Sequence, residues 1–140
     1  MYKNYFIKNE PQPEFKKEFI SLWDGWLGKK NLDKLDEVSE AEWSKFNTMI
    51  LAISSKYKVG KVDFETQTIE FPTIISETFS DYETSMNKES SEFSSYIIPE
   101  LECMISEEWD YTYIIWYKNS SSLKLITPFA RASGLYNFSD

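Results

Sequence analysis

"LECMISEEWDYTYIIWYKN", residues 101–119, decides how the chain is read. "LECMIS" and "YTYIIWYKN" are short apolar and aromatic runs, and the polar "EEWD" between them is a turn candidate. The stretch therefore reads as an antiparallel hairpin. On such a strand Trp109, Tyr111, Tyr113, Ile115 and Tyr117 share one face, and Asp110, Thr112, Ile114, Trp116 and Lys118 share the other. From Ile114 onward both faces are large and apolar, which predicts that residues 114–117 lie inside the sheet. Residues 106–111 differ, because Glu107, Glu108 and Asp110 surround Trp109 and Tyr111. Trp and Tyr ringed by polar groups are the side chains that carry interface energy, so this tip is expected to be a contact surface. The plainer alternative is an aromatic folded back onto the sheet.

The polar "NSSS" and then "SLKLITPFA" follow this hairpin, and the latter reads as a further strand. Upstream, "KVDFETQTIEF" alternates Val62, Phe64, Thr66 and Thr68 with Asp63, Glu65 and Gln67, the period of a strand with one wet face. Ile69 and Phe71 break the phase, which predicts a turn or bulge near Thr66 to Thr68. The earlier part of the chain has a helical period. In "EFKKEFISLWDGWL", Phe15, Phe19, Leu22, Trp23, Trp26 and Leu27 fall on one helical face, and Gly28 suits the left-handed position that ends a helix. Ser39 and Glu42 form a capping-box pair, after which Trp43, Phe46, Ile50, Ile53 and Tyr57 recur at three- and four-residue steps, closed by Gly60.

These readings predict an α+β fold: N-terminal helices over about 14–28 and 39–58, packed on a mostly antiparallel C-terminal β-sheet, in a single domain over residues 1–140. Residues 76–95, "SETFSDYETSMNKESSEFSS", are balanced between helix and loop. Phe79, Tyr82, Met86 and Phe93 form a weak helical stripe, but serine and threonine oppose a helix interior.

The net charge of −8 is unevenly placed. Residues 63–110 hold 13 acids and one base, Lys88, a balance of −12, whereas the other 92 residues balance to +4. Such a field repels nucleic-acid phosphates and anionic membranes and speeds encounter with cationic partners. A solvated acidic face that keeps the protein soluble is the bland alternative.

Reaction chemistry is hard to find in this residue inventory. The chain has no histidine, which excludes Ser-His-acid and Cys-His arrangements and removes the commonest transition-metal ligand. Its glycines, at 25, 28, 60 and 134, match no phosphate-binding loop, and no calcium-loop spacing occurs. Adjacent acids such as Glu107 and Glu108 are a weak basis for carboxylate-only hydrolysis. The one cysteine, Cys103, sits in an apolar run and reads as a buried thiol. We expect no enzyme activity, no cofactor and no bound metal. Without a signal-like N-terminus or an apolar run of membrane-spanning length, the expected setting is cytoplasmic, with no nucleic-acid or membrane partner.

The acids from Asp63 to Asp110, together with the aromatic "SEEWDYTY" hairpin region, give the chain a type-level resemblance. It resembles the immunity proteins that bacteria keep against contact-dependent growth inhibition toxins and related polymorphic toxins. That family has no universal motif, so no residue role transfers by position. The resemblance implies a cytoplasmic inhibitor that binds a cognate, basic, nuclease-type protein toxin. On the residues themselves, the expected partner-binding positions are Asp81, Tyr82, Glu83, Glu92, Glu107, Glu108, Trp109, Asp110 and Tyr111. An acidic adaptor or structural subunit that binds a cellular partner is the rival expectation.

Overall fold

The computed structural model describes residues 1–140. Its centre is a seven-stranded sheet in which every neighbouring pair is antiparallel. The predicted hairpin is there: β7 (Cys103–Glu107) pairs with β8 (Thr112–Tyr117), with Ile105 opposite Ile115. Ahead of it, β6 (Ser95–Ile98), buried at all four positions, pairs with β7. Next come β4 (Gly60–Asp63) and β5 (Thr68–Glu70), joined by a turn over 64–67, where the phase break in the sequence predicts one.

The chain order departs from the expected plan of helices first and sheet later. Elements are interleaved, and the predicted helix over 14–28 does not form. A two-residue hairpin, β1 (Phe6–Ile7) with β2 (Glu10–Pro11), leads into β3 (Lys16–Ser21), which pairs with β8 over its whole length, from Lys16 opposite Tyr117 to Ser21 opposite Thr112. The physical reason lies in burial on two sides. Phe19 looks to one face of the sheet while Glu18, Ile20 and then Leu22 look to the other, and both faces are covered. A doubly covered strand and a buried helix give the same apolar spacing over so few residues. Gly28 does adopt a positive φ of 69°, but it opens a 3-10 helix over Lys29–Glu37 rather than closing an α-helix.

The second predicted helix is present as α1 (Glu40–Trp43) and α2 (Lys45–Ser54). Both halves of the capping box are made: the Glu42 backbone N–H donates to Ser39 Oγ at 3.2 Å, and the Ser39 N–H donates to Glu42 Oε1 at 3.3 Å. Gly60 lies beyond this helix as the first residue of β4. Residues 76–95 are neither one helix nor one loop. They contain the end of a 3-10 turn over Ile75–Thr78, then α3 (Tyr82–Met86) and a second 3-10 turn over Ser90–Glu92, and they run into β6 at Ser95.

The segment expected to be a strand, "SLKLITPFA", is helical instead, within α4 (Ser120–Ala132). The Asn119 side chain accepts the Ser121 N–H at 2.9 Å as the N-cap. At the other end Gly134, at φ 84°, closes a Schellman motif: its N–H donates to the Arg131 carbonyl and the Leu135 N–H to the Ala130 carbonyl. Ile126 and Ala130 then face the core at helical spacing. The chain ends in β9 (Tyr136–Phe138), which adds to the outer side of β3.

Helices and sheet enclose the main core, where Phe46, Met49, Ile50 and Ile53 of α2 and Ile126 of α4 meet Ile20, Ile98, Ile105 and Ile115. Phe46 stacks on Tyr113 with ring centroids 4.5 Å apart. On the opposite face the N-terminal segment covers part of the sheet, with Tyr2, Tyr5, Phe6 and Phe15 around Val62, Ile97 and Met104. One buried carboxylate ties the two ends of the chain: Glu18 accepts from Asn137 Nδ2 and Ser139 Oγ, each at 2.8 Å, and Arg131 Nε donates to Asn137 Oδ1 at 2.7 Å. No helix is long and apolar enough to cross a membrane.

Candidate functional site

The β7–β8 register leaves a three-residue loop. Glu107 faces Tyr113, and the Glu108 N–H donates to the Thr112 carbonyl at 2.9 Å, so Trp109, Asp110 and Tyr111 make the turn. Asp110 and Tyr111 both have positive φ, 60° and 55°. Aspartate tolerates that region, whereas a bulky side chain such as tyrosine rarely enters it. Contacts hold Tyr111 there: its hydroxyl donates to Met86 Sδ at 3.3 Å, and its ring meets Trp23 edge-on at 6.3 Å. The same turn leaves Trp109 58% exposed, with its ring edge-on against Phe93 at 4.7 Å.

The three acids of the tip do different things. Glu107 is an internal strut: Oε1 accepts from Lys88 Nζ at 3.0 Å and from the Ser94 N–H at 2.9 Å, and the Lys88 and Glu107 side chains keep only 6% and 12% of their exposure. Glu108 is half-buried, its Oε2 accepts from Ser106 Oγ at 2.9 Å, and Ser106 Oγ in turn accepts from Trp116 Nε1 at 2.9 Å. Burial pushes the Glu108 carboxyl up from its ordinary value, against the lowering pull of the Ser106 hydrogen bond and of the Lys17 charge. Asp110 is exposed and has no ion-pair partner within 4 Å.

Residues 82–93 run beside this tip, fastened by three contacts: Lys88 to Glu107, Met86 to Tyr111 and Phe93 to Trp109. Tyr82 is half-buried edge-on to Trp43, at 5.3 Å, and lies close enough to Tyr111 to help raise its pKa, after burial and together with Asp36. Asp81 caps α3 by accepting the Thr84 N–H at 2.7 Å, a bond that lowers its pKa. Glu92 turns back to the Glu89 N–H at 3.3 Å, and Glu83 is exposed. Asp81, Tyr82, Glu83 and Glu92 thus stay on the flanking segment, and of the expected positions only Glu107, Glu108, Trp109, Asp110 and Tyr111 gather at the tip.

Three clefts converge on Trp109. The first, about 370 Å³, runs between the N-terminal hairpin and the tip. The second, about 380 Å³, lies between the tip and the Trp23–Gly28 loop, over Phe19 and Ile114. The third, about 230 Å³, opens toward α1 and Met86. Glu108 lines all three as well. Phe93 and Trp116 were legible only as packing residues, yet they form walls here, and the sequence carries no local signal that would separate wall from core.

Eleven of the thirteen acids between Asp63 and Asp110 have no cationic group within 4 Å; the exceptions are Glu107 and Glu102, the latter 3.9 Å from Lys118. No three acids or acids with Cys103 converge as a metal-ligand set. Compared with protein-family models, curated proteins and solved structures, the chain matches none. The site's reading therefore rests on its own geometry: an exposed aromatic set against Phe93, flanked by open clefts, beside carboxylates most of which have no cation within 4 Å.

Proposed function

We propose that this protein is a binding protein of the immunity type, which holds a basic, nuclease-type toxin in the bacterial cytoplasm through the 108–111 tip and the acidic segment beside it. The observation that carries this reading is Trp109, largely exposed on a loop that spends backbone strain at Asp110 and Tyr111 to hold it there. Unpaired carboxylates around it raise the encounter rate with a cationic partner and select against anionic ones. The aromatic side chains would then supply the short-range contact that slows dissociation. Carboxylates so placed would stand where the toxin otherwise meets phosphates, which is how an acidic surface blocks a nuclease.

The test is capture from the native host with tagged protein at low and at moderate salt, with bound proteins identified by mass spectrometry. Recovery of one basic protein encoded immediately upstream, held through moderate salt, and rescue of cells that express that protein alone are the expected results. Recovery of an unrelated cellular complex, or of nothing at either salt, overturns the proposal.

A further inference from the structure

We propose that the cleft between the N-terminal hairpin and the tip is a site for an arginine side chain of the basic partner, with its guanidinium facing Glu108 among the rings of Phe93, Trp109 and Trp116. The inference rests on the functional reading above and gives it a chemical contact.

No cation lines the cleft, and Lys17, whose charge pulls on Glu108, stands more than 4 Å from its carboxylate. Phe6, Phe64, Phe93, Trp109 and Trp116 wall it, Ser106, Glu107 and Glu108 supply its charged and polar side, and neither lysine nor arginine lines it. Glu107 is already occupied by Lys88 and the Ser94 N–H. Glu108 is not. Its Oε2 is fixed by the chain from Trp116 Nε1 through Ser106 Oγ, whereas its Oε1 accepts no protein hydrogen bond and no cation lies within 4 Å. Burial penalises the ionised carboxylate, Ser106 and Lys17 offset only part of that, and an incoming cation would offset more of it.

Aromatic walls favour a cation over a neutral group, because the ring faces carry negative quadrupole charge. The fold already uses this attraction at Trp116, where Lys17 Nζ stands 5.0 Å over the ring from outside the cleft. Arginine fits better than lysine. Its guanidinium is planar and weakly hydrated, stacks on aromatic faces, and pairs edge-on with a carboxylate, whereas an ammonium surrenders a tight hydration shell to enter such a cleft.

The probe is N-acetyl-arginine methylamide, titrated against the full chain and followed by the indole N–H resonances of its five tryptophans, with the neutral citrulline analogue and the lysine analogue as controls. The expected result is a saturable shift at Trp109 and Trp116, none at Trp43, no response to citrulline, and an affinity for lysine lower by about tenfold. Glu108→Gln retains an acceptor for Ser106 and should weaken the arginine response by about tenfold or more. Equal responses to arginine and citrulline, equal responses to arginine and lysine, or an unchanged response in Glu108→Gln would each overturn the assignment. Should the host capture still yield a basic neighbour that Glu108→Gln binds with unchanged affinity, this cleft fails while the functional reading stands. Should the probe bind while no basic partner is captured, the cleft stands and the functional reading falls.

Discussion

Phe93 and Trp109 meet edge to face, with ring centroids 4.7 Å apart and planes at 72°, and this pair joins the acidic segment to the tip of the β7–β8 hairpin. Phe93 is half-buried and Trp109 is open to solvent, so the contact orients the tryptophan without hiding it. Such pairs contribute about 0.5–1.5 kcal/mol beyond simple burial.

Trp109→Ala should therefore cost only about 0.5–1.5 kcal/mol in urea unfolding, the worth of that pair, because more than half of the residue is already in water. The same substitution should raise the dissociation rate of the captured partner. Asp110→Lys should instead slow association, with an effect that shrinks as salt rises. Surface plasmon resonance separates the two, and unchanged rates in both variants would remove the tip from the interface.

Glu107→Lys is predicted to act on folding first. The sequence placed Glu107 with the contact acids, but its carboxylate is committed to Lys88 and the Ser94 N–H inside the protein. Replacing it leaves two ammonium groups facing each other in a nearly closed site. Breaking a buried pair costs about 3–5 kcal/mol. A urea midpoint equal to that of the parent protein would contradict the strut assignment.

Gly60→Ala should destabilise the sheet edge. A Cβ built on Gly60 would lie 2.6 Å from Ile69 Cγ2 and 2.8 Å from Phe71 Cε1, so the side chains of Ile69, on β5, and of Phe71, just after it, have to move. Overpacking of this kind costs about 1–3 kcal/mol. Thermal unfolding checks it, and a midpoint unchanged or raised would mean that Ile69 and Phe71 yield freely.

Alkaline pH should weaken the fold from about pH 9 upward. Burial pushes the Cys103 thiol from an ordinary value of 9.0 to about 12, and the Tyr96 phenol from 10.0 to about 12. The unfolded chain releases these protons first, so stability is complete below about pH 9 and declines until about pH 12. Cys103 should also resist a thiol reagent at pH 8 until denaturant is added. Rapid labelling of the native protein would contradict its burial.

What the sequence determined by itself is local. The β7–β8 hairpin, the turn between β4 and β5, and the capping box at Ser39 and Glu42 are each written within a few neighbouring residues, and each forms as expected. The concentration of carboxylates was likewise visible, because charge is a property of composition. α4 was locally marked too, by Asn119 and Gly134 at its ends, but the alternation of Leu123, Leu125 and Thr127 imitated a strand.

Tertiary structure decided the rest, because the deciding partners lie far away in the chain. β3 is a strand because residues 112–117 and 136–138 pair with its two edges, and nothing within residues 14–28 distinguishes that outcome from a buried helix. Glu107 and Glu108 are adjacent and chemically alike, yet Lys88 occupies one from a distant segment while the other is left facing an aromatic cleft. Both carboxylates line that cleft, so local sequence cannot separate them: only the packed fold brings Lys88 Nζ and the Ser94 N–H to Glu107 and leaves Glu108 Oε1 without a donor.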